Sequence, residues 1–182
     1  MKLLNKQEAV KFIRDHADVL NARTNEVNPF ARSEWMQLFV EQVVQDDWSL
    51  VVPQSDRGDS VMLLYHECNA PTRCTSLANY YSSLFSPVRS SRGDSVEFDS
   101  LVRQLTALRP QLSTVNFSPL NAESVDTLAL EKALVDQRWY VRRYFCFANW
   151  YLPCEGVTFH AYMSGRDSQL RNTIGRKSKK FD

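Results

Sequence analysis

The hydrophobic residues of this chain switch several times between helical and strand spacing, and the order of these switches constrains the fold most. Helical spacing predicts helices over 7–22, 32–46, 96–109 and 123–137. β-rich runs predict strands over 48–53, 61–66, around 77–84, 112–117 and 139–152. Because strands joined by crossover helices pair in parallel, this order predicts an α/β fold with a mixed sheet and helices on both faces.

The C-terminal residues show one apolar stripe on an otherwise basic helix. At about 100° per residue the stripe fills a roughly 60° arc, and its members are Phe159, Met163, Leu170, Ile174 and Phe181. We therefore expect two parts, a domain over 1–156 and a basic amphipathic helix over 157–182. Because no Gly, Asn or Pro stop signal follows this helix, we expect it to lead toward a second domain that is missing from the sequence. A frayed terminal tail is the alternative.

Composition favours a folded domain and gives little attraction to polyanions. The 182 residues are 43% hydrophobic, enough for a substantial core, and the formal net charge is +1. The polar residues after Leu4 leave no secretory hydrophobic region, and no run approaches the roughly 20 apolar residues of a membrane span. We therefore expect a cytoplasmic protein that does not bind membranes.

Residues suited to metal binding or catalysis are few. The four cysteines lack the short spacing of a zinc site, so no metal is predicted. None of the five glycines begins a Gly-x-Gly pair, which excludes a P-loop and a dinucleotide fingerprint. His66 and Glu67 could form an acid/base pair, although an exposed polar pair at a strand end is the simpler interpretation.

Three local patterns carry a resemblance to a known family. They are Asn28-Pro29-Phe30 with Glu34-Trp35, Leu77-Ala78-Asn79-Tyr80-Tyr81-Ser82 with Phe85-Ser86-Pro87, and the run from Gln169 to Lys177. With the order of elements, they resemble the GNAT N-acetyltransferase fold. More specifically, they resemble the N-terminal half of the two-domain acyltransferases related to the CelD cellulose-biosynthesis proteins and the FemAB peptidyltransferases. In that family a basic helix introduces a second, acyl-CoA-binding GNAT domain.

The resemblance implies an N-terminal domain of an acyl-CoA-dependent N-acyltransferase or acetyltransferase. This chain would shape the acceptor cleft and dock the catalytic half. The implied cofactor is acetyl-CoA or another acyl-CoA, which we do not expect this chain to bind alone. The implied partners are an amine-bearing acceptor and a second GNAT domain, or another partner on the C-terminal helix.

The chain departs from the family at the turn that grips the cofactor pyrophosphate. A GNAT domain that holds acetyl-CoA has a glycine-rich turn between a strand and a helix, whose backbone N–H groups bind the phosphates. The equivalent residues, 88–95, offer Arg89, Ser90 and Arg92 as weak candidates, and Asp94 would repel a phosphate. We therefore expect no cofactor-binding residues here.

Asn79, Tyr80 and Tyr81 are the candidate substrate-binding residues. By the resemblance they lie where a GNAT sheet splays and substrates enter, and an amide with two tyrosines can hold a polar acceptor. The alternative is that one tyrosine belongs to the core and its neighbour to the surface. The catalytic residues stay unknown.

Two other functions compete with the acyltransferase. One is a non-catalytic protein-interaction module with a degenerate GNAT fold, whose apolar terminal stripe binds a partner. The other is single-stranded nucleic acid binding by Arg138, Arg142 and Arg143 around the aromatic run 139–152. Because acidic residues balance the charge and aromatic strands are usually core, we do not expect nucleic acid binding.

Overall fold

The computed structural model describes residues 2–23, 28–56, 60–67, 69–87, 95–109, 111–148 and 155–179. The chain falls into two compact units, Met1–Cys146 and Phe147–Asp182.

The first unit contains the sheet and five α-helices among the described residues. Its strands are β1 (Lys2–Leu4), β2 (Ser49–Val52), β3 (Leu64–His66), β4 (Arg73–Ser76) and β5 (Thr114–Asn116). Its helices are α1 (Lys6–Asp15), α2 (Ala17–Arg23), α3 (Ser33–Gln42), α4 (Ser95–Thr106) and α5 (Val125–Asp136), with a 3-10 turn at Pro29–Ala31. The second unit contains α6 (Phe159–Ser164) and α7 (Ser168–Ser178).

The five strands form one mixed sheet in the order β1-β2-β3-β4-β5. Neighbours are antiparallel except β4 and β5, which pair in parallel with Arg73 opposite Thr114 and Thr75 opposite Asn116. The connection between the parallel strands contains α4, as expected for a crossover. The predicted α/β class with a mixed, partly parallel sheet is therefore confirmed.

Helices cover both faces of the sheet. Successive residues of β2 point to opposite faces and pack against different helices. Leu50 and Val52 belong to the core cluster that includes Ile13 of α1 and Val40 of α3. Val51 belongs to a second cluster with residues of α4 and α5. The two clusters fix the sheet between two helical layers.

Two predicted strands are wrong in the described residues. Residues 77–84 form no strand, because the chain turns at 79–82, and the strand of this region, β4, lies just before them. Residues 139–148 also form no strand, and the aromatic side chains expected in the core are largely exposed, with Phe145 at 88%. We call residues 139–146 the aromatic segment.

Smaller differences concern helix boundaries and the first strand. The helix predicted over 7–22 is two helices separated at His16, whose ring lies on the Phe12 ring. The C-terminal stripe spans two helices rather than one, because Asp167 caps α7 with its side chain. Strand β1 is only three residues long, too short for a periodic pattern to indicate.

Candidate functional site

The backbone pairing of the parallel strands β4 and β5 ends at Thr75 and Asn116. Ser76 lies at this point with no exposed surface, and its Oγ donates to the Ser118 carbonyl at 2.6 Å and accepts from the Ser118 N–H at 3.0 Å. The two chains meet again where the Phe85 N–H donates to the Pro119 carbonyl at 2.7 Å. Residues 77–84 therefore form an excursion that lies outside strand β4, between two points at which hydrogen bonds hold the chain.

A tight turn forms the outer part of this excursion, and we call residues 79–82 the tyrosine turn. The Tyr81 N–H donates to Asn79 Oδ1 at 2.9 Å, and the Ser82 N–H donates to the Asn79 carbonyl at 3.0 Å. The Asn79 N–H in turn donates to Ser82 Oγ at 3.3 Å, and Ser82 is buried. Asparagine favours such turns because its side-chain oxygen can accept from the backbone two residues on.

The turn presents both tyrosine rings to solvent. Tyr80 is 90% exposed and Tyr81 is 77% exposed, so the interpretation that one of them is core is wrong. Their ring centroids lie 5.9 Å apart at an interplanar angle of 86°. Two aromatic faces at right angles can attract a cationic group, and the phenol hydroxyls can hydrogen-bond it. Asn79 Nδ2 adds a donor that has no hydrogen-bond partner among the described residues.

The three sequence-predicted binding residues thus share one turn, and their role in binding stays a prediction. The weak cofactor candidates Arg89, Ser90 and Arg92 lie outside the described residues. So does the rest of the turn 88–94.

A polar seam that the sequence analysis missed joins α4 to the loop between β2 and β3. Ser60 Oγ donates to Glu97 Oε2 at 2.5 Å, and the Asp56 N–H donates to Ser100 Oγ at 3.0 Å. Gln104 joins the same loop, because its Oε1 accepts from the Gln54 N–H at 3.1 Å. Glu97, Ser100 and Gln104 share one helix face at i, i+3 and i+7. This spacing is visible in the sequence, but the sequence does not show that the loop between β2 and β3 supplies the partners of these side chains.

Two histidines and the buried cysteine, which could serve as bases or as a nucleophile, are held by the structure. His66 Nε2 lies 2.9 Å from the Pro71 carbonyl oxygen, and no described contact joins it to Glu67. His16 Nδ1 lies 2.8 Å from the Phe12 carbonyl oxygen. Burial raises the pKa of the Cys74 thiol to about 11, so it is protonated near neutral pH and is a poor nucleophile. Within the described ranges, no group of three His, Cys, Asp or Glu side chains could hold a metal ion.

Comparison of the chain with protein-family models, with curated proteins and with solved structures finds no significant match. Among the helices that the structure describes, none has the length and hydrophobicity needed to cross a bilayer.

Proposed function

We propose that the first unit is the acceptor-side domain of an acyl-CoA-dependent N-acyltransferase with a GNAT-like sheet. In this proposal the tyrosine turn contacts the amine-bearing acceptor. A second GNAT domain or another partner holds the acyl-CoA.

The observation that carries the proposal is the end of backbone pairing between β4 and β5. A GNAT fold admits its substrates where two strands splay, and here the backbone ladder ends at Thr75 and Asn116. Ser76 then replaces the ladder with its two bonds to Ser118, and the tyrosine turn lies on the excursion that begins there. The order of a crossover helix between β4 and β5 and a further helix after β5 also supports a GNAT-like arrangement.

In this proposal the start of α4, which follows residues 88–94, does not bind the pyrophosphate of an acyl-CoA. The N-terminus of a helix favours an anion. In α4 that end already has a carboxylate, because Glu97 lies in the first turn, buried and hydrogen-bonded to Ser60. A pyrophosphate bound there would lie close to this negative charge. We therefore assign the cofactor to another domain.

The tyrosine turn suits an amine in its protonated form. A cation over a tyrosine ring gains about 0.5–1 kcal/mol at an exposed site. Tyr80 and Tyr81 offer two such rings on a turn fixed by Asn79 and Ser82. These residues would orient the acceptor without moving its proton.

Titration calorimetry with amines tests the proposal. The probes are glucosamine, lysine and spermidine, each compared with the derivative in which all of its amines are acetylated. We expect at least one free amine to bind and its acetylated form to bind more weakly, because the cation is lost. Tyr80→Ala and Tyr81→Ala should each weaken binding about two- to fivefold. Phe159→Ala, at an exposed aromatic residue of α6, is the matched control and should change nothing.

The proposal fails if no amine binds, or if both turn variants bind as tightly as the wild type.

A specific observation favours a second candidate, a non-catalytic interaction module. The aromatic segment exposes Tyr140, Tyr144 and Phe145 by 85%, 74% and 88%, and exposed apolar surface often marks a protein contact.

A further inference from the structure

Residues 139–144 of the aromatic segment have the side-chain alternation of a β-strand although they belong to no sheet, and the alternation ends before Phe145, which is 88% exposed. Trp139 Nε1 donates to Thr106 Oγ1 at 2.8 Å, and Val141 packs against the core cluster of α4 and α5. Arg143 Nε donates to Glu131 at 3.1 Å. Every second residue from 139 to 143 therefore contacts α4, α5 or their core cluster. A repeat of two residues is the period of an extended strand.

The residues between them form a free face. Tyr140 and Tyr144 are 85% and 74% exposed. The Arg142 guanidinium lies 5.4 Å from the centroid of the Tyr144 ring. This face therefore presents two aromatic rings with a cation between them.

The backbone of the segment is also free along residues 140–146. No backbone N–H or carbonyl of these residues makes a hydrogen bond within the part of the chain that the structure describes. Just before them the chain is anchored, because Arg109 donates to the Arg138 carbonyl at 3.4 Å and lies 4.0 Å from the Trp139 ring centroid. A peptide strand could add to these unpaired backbone groups as it adds to the exposed edge of a sheet.

The charge of the segment indicates the chemistry of that strand. Residues 138–146 contain three arginines and no acidic residue. Glu131 neutralises Arg143, whereas Arg138 and Arg142 have no acidic partner among the described residues. An acidic strand would place carboxylates next to these two cations.

We propose that residues 140–146 bind an extended acidic peptide segment of a partner protein by β-strand addition. The backbone groups supply the hydrogen bonds, and Arg142 with its flanking tyrosines selects an acidic side chain. A nucleic acid strand could stack on the rings, but it offers no N–H and carbonyl groups at strand spacing. The proposal does not depend on acyl transfer, since either function considered above could use this surface.

Fluorescence anisotropy with designed peptides tests this inference. The probe is a labelled eight-residue peptide of alternating glutamate and valine. We expect it to bind the full chain and the corresponding lysine–valine peptide to bind more weakly. Methylating alternate backbone nitrogens on one edge of the probe should weaken binding about tenfold or more, because each lost hydrogen bond counts.

Charge reversal locates the site. Arg142→Glu should weaken the acidic probe about fivefold and strengthen the lysine–valine probe. Arg171→Glu, an exposed arginine of α7, is the matched control and should leave both affinities unchanged. Because Arg142 is exposed, the variant should keep the wild-type melting temperature, which shows that the fold is intact.

Three results would overturn the proposal. The first is that the acidic probe does not bind at millimolar concentration, or binds equally well when it is N-methylated. The second is that a ten-nucleotide oligo-dT binds more tightly than the peptide and that its binding depends on Tyr140. That result would make the surface a nucleic acid site. The third is concentration-dependent sedimentation that Arg142→Glu abolishes, which would place a second copy of this chain there.

Discussion

Ser60 Oγ donates a 2.5 Å hydrogen bond to Glu97 Oε2, and both side chains are buried. The contact joins the loop between β2 and β3 to the first turn of α4, 37 residues apart in the sequence. It also places a carboxyl group in the first turn of α4, the helix end to which the proposed function assigns no cofactor. The polar seam therefore stabilises the fold and also supports the proposal that another domain holds the cofactor.

A double-mutant cycle on this contact should show coupling. Ser60→Ala removes a donor to a buried carboxylate, which should lower the free energy of unfolding by about 1–3 kcal/mol. Glu97→Gln should cost less, because the amide oxygen can still accept from Ser60. The double variant should lose less than the sum of the two single losses in urea unfolding. Strictly additive losses would mean that the two side chains act independently.

Ser76→Ala should destabilise the first unit where the pairing of β4 and β5 ends. The substitution leaves the Ser118 N–H and carbonyl without the Ser76 hydroxyl, so we expect a loss of about 1–3 kcal/mol in urea unfolding. Ser113→Ala is the matched control, since that exposed serine makes one long bond, 3.3 Å, to the Thr72 carbonyl. Its cost should stay within about 0.5 kcal/mol. Equal losses in the two variants would contradict a special role for Ser76.

The anchoring of the aromatic segment should weaken in acid. The Arg143 guanidinium hydrogen-bonds the Glu131 carboxylate, which lowers the pKa of Glu131 below its ordinary 4.5. A lowered carboxyl pKa contributes stability that is present above the unfolded-state pKa and is lost as the pH falls through the folded-state value. The wild type should therefore unfold at higher urea than Glu131→Gln at pH 7, and this small difference should vanish toward pH 3. A difference that persists at pH 3 would mean that the ion pair is not its source.

Sequence periodicity predicted the sheet class because Leu50, Val51 and Val52 face two cores in alternation. It misplaced the third predicted strand because Tyr80 and Tyr81 resemble strand residues, whereas the Asn79 side chain forms a turn there. Turn chemistry can override an apolar run when the oxygen of an asparagine accepts from the backbone.

Long-range contacts set the remaining features, and no local pattern encodes them. The aromatic segment has strand periodicity over 139–144, yet a strand forms only where a second strand supplies hydrogen bonds. Asn79, Tyr80 and Tyr81 could be grouped from sequence because they are adjacent. The contact beside them joins Ser76 to Ser118, which lie 42 residues apart.

An NMR titration that follows each backbone amide tests the division between acceptor and cofactor most directly. The amine that binds in calorimetry should shift the amides of residues 79–82 and leave those of residues 95–98, at the start of α4, unchanged. Millimolar acetyl-CoA should shift neither group, because Glu97 lies buried in the first turn of α4. Acetyl-CoA shifts at residues 95–98, or amine shifts that avoid the tyrosine turn, would contradict the assignment.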